Sequence, residues 1–273
     1  MLIAQGLEAG QAPERWNLEY PDRIAAVHRA YSEAGCEIVH TNTFGASPAK
    51  LAEVGLEGRC REVCSIAVQL ARDAVGPETF VAGDIGPTGL LFPPMGKTDE
   101  AEIEQSLTEQ VEALVDAGVD LLSIETMFDL REAQVAVRTA SQSGLPVFAS
   151  MTFNRKKRGF FTLVGSPLSA SLQALVDTGA DVVGSNCTLV PEDMIDLVAQ
   201  AVQSVEVPIV AQPNAGEPIV GTAGVHYDTQ PSDFAAGLAR LVEEGARLVG
   251  GCCGTEPPHL QATRLALEIS SQR

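Results

Sequence analysis

Helical segments and short apolar runs alternate along nearly the whole chain, and this alternation restricts the fold more than any single motif does. The spacing of Ile24, Val27, Ala30 and Tyr31, between Pro21 and Gly35, predicts a helix over Asp22–Ala34, and the apolar run Glu37–Asn42 follows as a strand. The unit then repeats. Helices over Arg59–Val75, Ala101–Ala117, Asp129–Ser143, Ala170–Thr178, Pro191–Ser204 and Pro231–Glu244 precede strands over Phe80–Asp84, Val119–Ile124, Val147–Thr152, Asp181–Gly184, Pro208–Ala211 and Ala246–Val249. A last helix spans Pro258–Ser270, while the lead-in punctuated by Pro13, Trp16 and Pro21 carries no period.

Strict alternation implies a parallel sheet covered by helices. Seven strands and eight helices in 273 residues suit a (β/α)8 TIM barrel, which typically takes about 250 residues, with one strand lacking at the N-terminal end. A doubly wound sheet is the other arrangement, but nothing marks its switch-point crevice. No linker, low-complexity stretch or second core interrupts the pattern, so residues 1–273 read as one domain. The C-terminal tips of barrel strands are where the chemistry belongs.

A formal charge of −18 argues against nucleic acid or an anionic membrane as partner, because both require a basic footprint. Six cysteines without a small-domain disulfide spacing, and no signal peptide or long apolar span, point to a reduced, cytoplasmic setting. In such a setting a cysteine cluster is more often metal-binding or catalytic than cross-linked.

The run Ala246–Val249 leads directly into Gly250-Gly251-Cys252-Cys253-Gly254. Adjacent cysteines on an extended strand point to opposite faces, so both can ligate one ion only if the backbone bends, which the glycines permit. A buried cysteine pair and a vicinal disulfide are the alternatives. Cys187 stands at the tip of another strand, and a barrel mouth would bring its thiol to the other two. Three protein ligands and one open position describe a catalytic type of zinc site, and soft thiolates select zinc over magnesium or calcium. Three thiolates leave zinc a poor activator of water but a good holder of a fourth, nucleophilic thiolate, which suits thiol alkylation.

Glu125, at the tip of Leu121–Ile124, is placed to hold a substrate ammonium group, and Asn42, Asp84, Asn186 and Asn214 occupy similar tips as hydrogen-bonding candidates. Cys36, Cys60 and Cys64 read as ordinary, His28 and His40 as structural, His226 and His259 as surface residues. Gly96-Lys97-Thr98 lacks the spacing of a phosphate-binding loop. The basic run Arg155–Arg158, after the strand Val147–Thr152, reads as a solvated loop, with contact to an anionic donor or partner as the alternative.

Taken in order, Thr41-Asn42-Thr43-Phe44-Gly45-Ala46, Gly83-Asp84-Ile85-Gly86-Pro87-Thr88-Gly89, Glu125-Thr126, Asn186-Cys187, Pro213-Asn214-Ala215-Gly216 and Gly250-Gly251-Cys252-Cys253-Gly254-Thr255 resemble the zinc-dependent homocysteine S-methyltransferases over nearly the whole chain. The first two stretches look most like the homocysteine domain of cobalamin-dependent methionine synthase. The resemblance implies a (β/α)8 barrel with zinc on Cys187, Cys252 and Cys253, homocysteine thiolate in the fourth position, and Glu125 on the homocysteine amino group. It implies methyl transfer onto sulfur to give methionine. If methylcobalamin is the donor, a separate corrinoid protein must present it; S-methylmethionine and betaine are the donors used elsewhere in the family. A barrel that binds a thiol or a corrinoid partner without turnover is the non-catalytic alternative. The family begins with a strand carrying Asp-Gly and a further Gly-Thr, absent before Met1-Leu2 here. An open barrel leaves two strand edges unpaired, which predicts a homodimer or a substitute segment covering them.

Overall fold

The computed structural model describes residues 1–8, 10–221 and 224–271. Seven strands form one sheet in chain order: β1 (Ile38–His40), β2 (Phe80–Ile85), β3 (Leu121–Met127), β4 (Val147–Met151), β5 (Val182–Asn186), β6 (Ile209–Gln212) and β7 (Leu248–Val249). The main helices are α1 (Pro21–Glu33), α2 (Cys60–Ala74), α3 (Glu100–Ala117), α4 (Leu130–Ser141), α5 (Leu168–Thr178), α6 (Pro191–Val202), α7 (Pro231–Glu243) and α8 (Pro257–Ser271). One helix precedes each strand and α8 closes the series, so among the described residues seven of the eight strands of a (β/α)8 topology are present. Two short antiparallel hairpins, Asn154–Lys156 with Gly159–Phe161 and Ile219–Gly221 with Gly224–His226, are added to it. The first contains part of the basic run, so that stretch is hairpin and not plain loop.

The chain divides into two compact units. The first comprises Met1–Glu33, Glu37–Glu125 and Arg131–Phe148. Here β1 pairs in parallel with β2, and β2 with β3, placing His40 opposite Ala82 and Asp84 opposite Ser123. Helix α3 shows why such sequences form helices. Asp99 caps it by accepting a hydrogen bond from the Glu102 N–H at 3.0 Å, and Gly118 stops it at φ 87°. Its inward face, Ile103, Leu107, Val111 and Leu114, is buried at helical spacing. The aperiodic lead-in is not loose: Leu7, Trp16 and Ile24 form a buried apolar cluster. Buried Glu14 accepts a 2.6 Å hydrogen bond from the Gly45 N–H.

The second unit comprises Ala34–Cys36, Thr126–Leu130 and Ala149–Arg273. Strand β6 pairs in parallel with β5 on one side and β7 on the other. Every residue of β5 is buried, the mark of a strand covered on both faces. The β5–β6 approach is set by Gly184, where a Cβ would lie 1.8 Å from the Val210 carbonyl oxygen. The strands cannot hold this register around a side chain. Gly184→Ala is therefore expected to destabilise the protein by about 3 kcal/mol in urea unfolding, at the upper end for overpacking, and to disturb Asn186 and Cys187 two and three residues on.

Candidate functional site

Two clusters of metal-ligating side chains exist among the described residues, one in each unit.

In the second unit Cys187, Cys252 and Cys253 bring their sulfurs within 4.8 Å of one another. Cys187 follows β5 directly. Its N–H donates to the Gln212 carbonyl at 3.0 Å, continuing the ladder for one bond, and its φ of 60° then turns the chain. A left-handed Cys followed by Thr188 at φ 55° is strained backbone for non-glycine residues. After β7 the paired cysteines are fixed by backbone hydrogen bonds from Cys252 N–H to Pro213 O and from Ala215 N–H to Cys253 O, both 2.9 Å. Gly251 leaves room for Thr255, whose Oγ1 would lie 2.2 Å from a Cβ there, and Gly254 bends at φ 76° under the Tyr227 ring. No disulfide joins the six cysteines.

Two of the strand-tip asparagines, Asn186 and Asn214, frame this cluster. Asn186 is fully buried. Its Oδ1 accepts from the Thr126 N–H and the Ser150 hydroxyl, both at 2.8 Å. Its Nδ2 donates to Thr126 Oγ1 at 2.7 Å and to Cys252 Sγ at 3.8 Å. Asn214 accepts from the Cys253 N–H at 3.1 Å. Hydrogen bonds from Cys252, Cys253 and Asn214 hold the Cys187 thiol well below its ordinary pKa, while the same Cys187 sulfur pushes Cys253 up. The cluster thus favours a thiolate even before a cation enters. Tyr227 stands beside Cys253, its phenol raised to about 12 by burial and by the neighbouring cysteines. Nothing in the sequence distinguishes Tyr227 from other loop aromatics.

These residues fit zinc. The 3.8 Å between the Cys187 and Cys253 sulfurs matches the edge, about 3.8 Å, of a tetrahedron with Zn–S bonds near 2.3 Å. Cys253 is exposed, Cys187 and Cys252 partly so, which leaves one side open to a fourth ligand.

In the first unit His40, Asp84 and Glu125, at the C-terminal ends of three neighbouring parallel strands, also place ligand atoms within 4.8 Å of each other. His40, read from sequence as structural, faces Glu125 with 3.4 Å between Nδ1 and Oε2. Burial pulls its pKa down, but the Glu125 hydrogen bond and charge, with the charge of Asp84, reverse this and hold it at about 9. Asp84 is buried, and burial followed by the Glu125 charge raises it well above the carboxylate range. Asn42 turns elsewhere: its Nδ2 donates to Pro13 O at 2.8 Å and Asn17 Oδ1 at 2.9 Å, fastening the lead-in. His259 is buried, not on the surface. Its Nε2 lies 2.9 Å from the Thr229 carbonyl oxygen and its ring meets Phe234 edge-on.

The metallated form of the homocysteine methyltransferase MmuM from Escherichia coli shares this fold, with a TM-score of 0.81, 25% identity, and coverage of 97% of this chain and 92% of that one. The methionine synthases of Mycobacterium tuberculosis and Mycobacterium leprae are 34% and 33% identical to it over 96% of the chain. The chain spans about a quarter of the length of these curated relatives (23% and 22%). Residues 4–267 match the homocysteine S-methyltransferase family, and the chain belongs to that family of enzymes.

Proposed function

We propose that the chain transfers a methyl group to the thiolate of homocysteine, forming methionine, at a zinc site made by Cys187, Cys252 and Cys253. The observation that carries this reading is the convergence of three sulfurs at zinc-ligand spacing beside an open side. Zinc held there supplies a position in which a substrate thiol loses its proton near neutral pH and stays nucleophilic. The chain's own residues do the rest. Asn186 and Asn214 fix the orientation of the cysteines, Glu125 and Asp84 receive the substrate amino group, and Asn42 braces that subsite through Pro13 and Asn17. A thiolate centre of this kind requires a reducing compartment, which we take to be the cytoplasm. Among the described residues no helix is long and apolar enough to cross a membrane.

For the donor we propose methylcobalamin carried by a separate corrinoid protein, a reading supported by the match to proteins named methionine synthase. Strands β1 and β7 end the strand order with one edge unpaired each among the described residues. We read those edges as the contact for a second copy or a covering segment.

Purified protein should contain one zinc per chain, and Cys252→Ala or Cys253→Ala should lose both the metal and methionine formation; methyl transfer that survives complete metal removal would sink the zinc mechanism. Asn186→Ala should weaken zinc by roughly 10–100-fold in chelator competition, as loss of an outer-shell partner does. Methionine formation compared across methylcobalamin, S-methylmethionine, betaine and methyltetrahydrofolate should be fastest with methylcobalamin; a higher rate with any other donor rejects the corrinoid assignment.

A further inference from the structure

Methyl transfer at the cysteines makes no use of the hairpin of Asn154–Lys156 and Gly159–Phe161, although it stands at the same end of the sheet. The hairpin follows β4, the neighbour of β5 in the strand order. Thr188, next to Cys187, donates from Oγ1 to the Phe153 carbonyl at 2.8 Å, just before the hairpin begins. Arg155 holds it in place: its Nη2 lies 2.8 Å from Asp196 Oδ2 and 3.2 Å from the Asp193 carbonyl oxygen, both on α6, and its guanidinium lies over the Phe160 ring. Gly159, at φ 115°, closes the turn and leaves Lys157 and Arg158 at its tip. Lys156, Lys157 and Arg158 are all exposed, and none of the three joins an ion pair among the described residues.

A second turn beside it is ordered and apolar. The Thr162 N–H donates to Ser166 O at 2.9 Å, the Gly165 N–H to Thr162 O at 3.0 Å and the Ser166 N–H to Thr162 Oγ1 at 3.1 Å. On this bonded turn Leu163 is 75% exposed and Val164 36%. The three-residue strand Gly159–Phe161, about 10 Å long, is all that separates the apolar turn from the basic one. Apolar side chains held out on an ordered turn beside unpaired cations have the makeup of a protein contact. The apolar pair supplies surface to bury, and the cations supply direction.

We infer that Lys156, Lys157 and Arg158, with Leu163 and Val164, form the docking surface for an acidic protein that brings the methyl donor to the cysteine centre. This rests on the reading above that a separate corrinoid protein presents the methyl group. The charge balance selects the partner. The chain carries 36 acidic against 18 basic residues, and four of the basic ones are consecutive here. An acidic protein is therefore repelled by most of the surface and attracted at the hairpin, so charge sets the orientation in which it arrives. With screening over about 8 Å at physiological salt, the attraction acts once the partner is already near the hairpin, beside the Cys187 segment. A nucleic acid or an anionic bilayer spreads its charge over a much wider area and meets the net −18 of the whole chain.

The test compares two donors in methionine formation by the zinc-loaded full chain: free methylcobalamin, and a methylated corrinoid protein purified from the source organism by its cobalamin absorbance. With the protein donor, the triple reversal Lys156→Glu, Lys157→Glu, Arg158→Glu should lower kcat/KM about tenfold or more at low ionic strength, and the loss should shrink as salt rises. Leu163→Ala should raise KM for the protein donor roughly tenfold at every salt concentration. Free methylcobalamin should serve wild type and both variants equally, which shows that the variants fold and keep an intact centre. A protein donor used equally well by all three overturns the docking surface and leaves the carrier reading standing. A protein donor that the wild type cannot use overturns both. An equal loss with free methylcobalamin would make the hairpin part of the centre itself. A loss confined to free methyltetrahydrofolate, an anion, would assign it to a small donor, and a sedimenting dimer that dissociates in the triple reversal would assign it to a second copy. Each of these three results overturns the inference.

Discussion

The buried side chain of Asn186 is the constraint on which the cysteine centre depends. Both of its polar atoms are engaged, Oδ1 by Thr126 N–H and Ser150, Nδ2 by Thr126 Oγ1 and Cys252. A buried amide so engaged has one orientation, because any rotation strands several polar atoms without solvent to replace their partners. The same side chain stabilises two pieces of unfavourable backbone. Thr126 has a φ of 61°, which a β-branched residue rarely adopts, and Cys187, the residue after Asn186, has a φ of 60°. Each such residue costs on the order of 1–3 kcal/mol and persists only where its surroundings over-determine it. Here the strain is what turns the Cys187 sulfur out of the strand and toward the paired cysteines.

The two clusters illustrate opposite uses of burial. Around the cysteines, thiol and amide donors converge on one sulfur and favour its charge, so Cys187 is drawn down. Around Asp84, desolvation outweighs the donors and the carboxyl is driven up. Hydrogen-bond supply decides the difference. Asp84 has an oxygen with no partner, whereas Cys187 has several donors around it. The first arrangement favours a thiolate, the second a protonated carboxyl.

Much of this was legible in the sequence because parallel strands are short and buried. Alternation of amphipathic helices with apolar runs located all seven strands, although β5 continues two residues past the expected Gly184, to Asn186. Cys252 and Cys253 were legible because an apolar run ends in glycines beside them, and Cys187 because it terminates another such run. The proximity of His40 to Glu125 and Asp84 was not, because those residues lie on other strands far along the chain, and a lone histidine in a strand carries no sign of them. His259 looked like a surface residue since nothing local announces the Thr229 carbonyl and the Phe234 ring that bury it. The hairpin at Asn154–Phe161 escaped because its strands are only three residues long and include exposed Arg155 and Lys156. The bonds that Asn186 and Asn214 make to the cysteine segments were not legible for a related reason. A polar residue at a strand tip can face a ligand or a neighbouring loop, and only the fold decides which.

That last ambiguity bears on how such sites arise. An asparagine at a strand tip that met substrate directly would tolerate loss of the metal, since its partners would lie elsewhere. Asn186 and Asn214 bond to the cysteine segments themselves, to the Cys252 sulfur and the Cys253 N–H. Their geometry is then preorganised whether or not a cation is present, and ligand atoms already at 3.8 Å need little rearrangement to bind one. The ordering of the three cysteines, hydrogen-bonded to one another around Cys187, is set by the fold before any cation arrives.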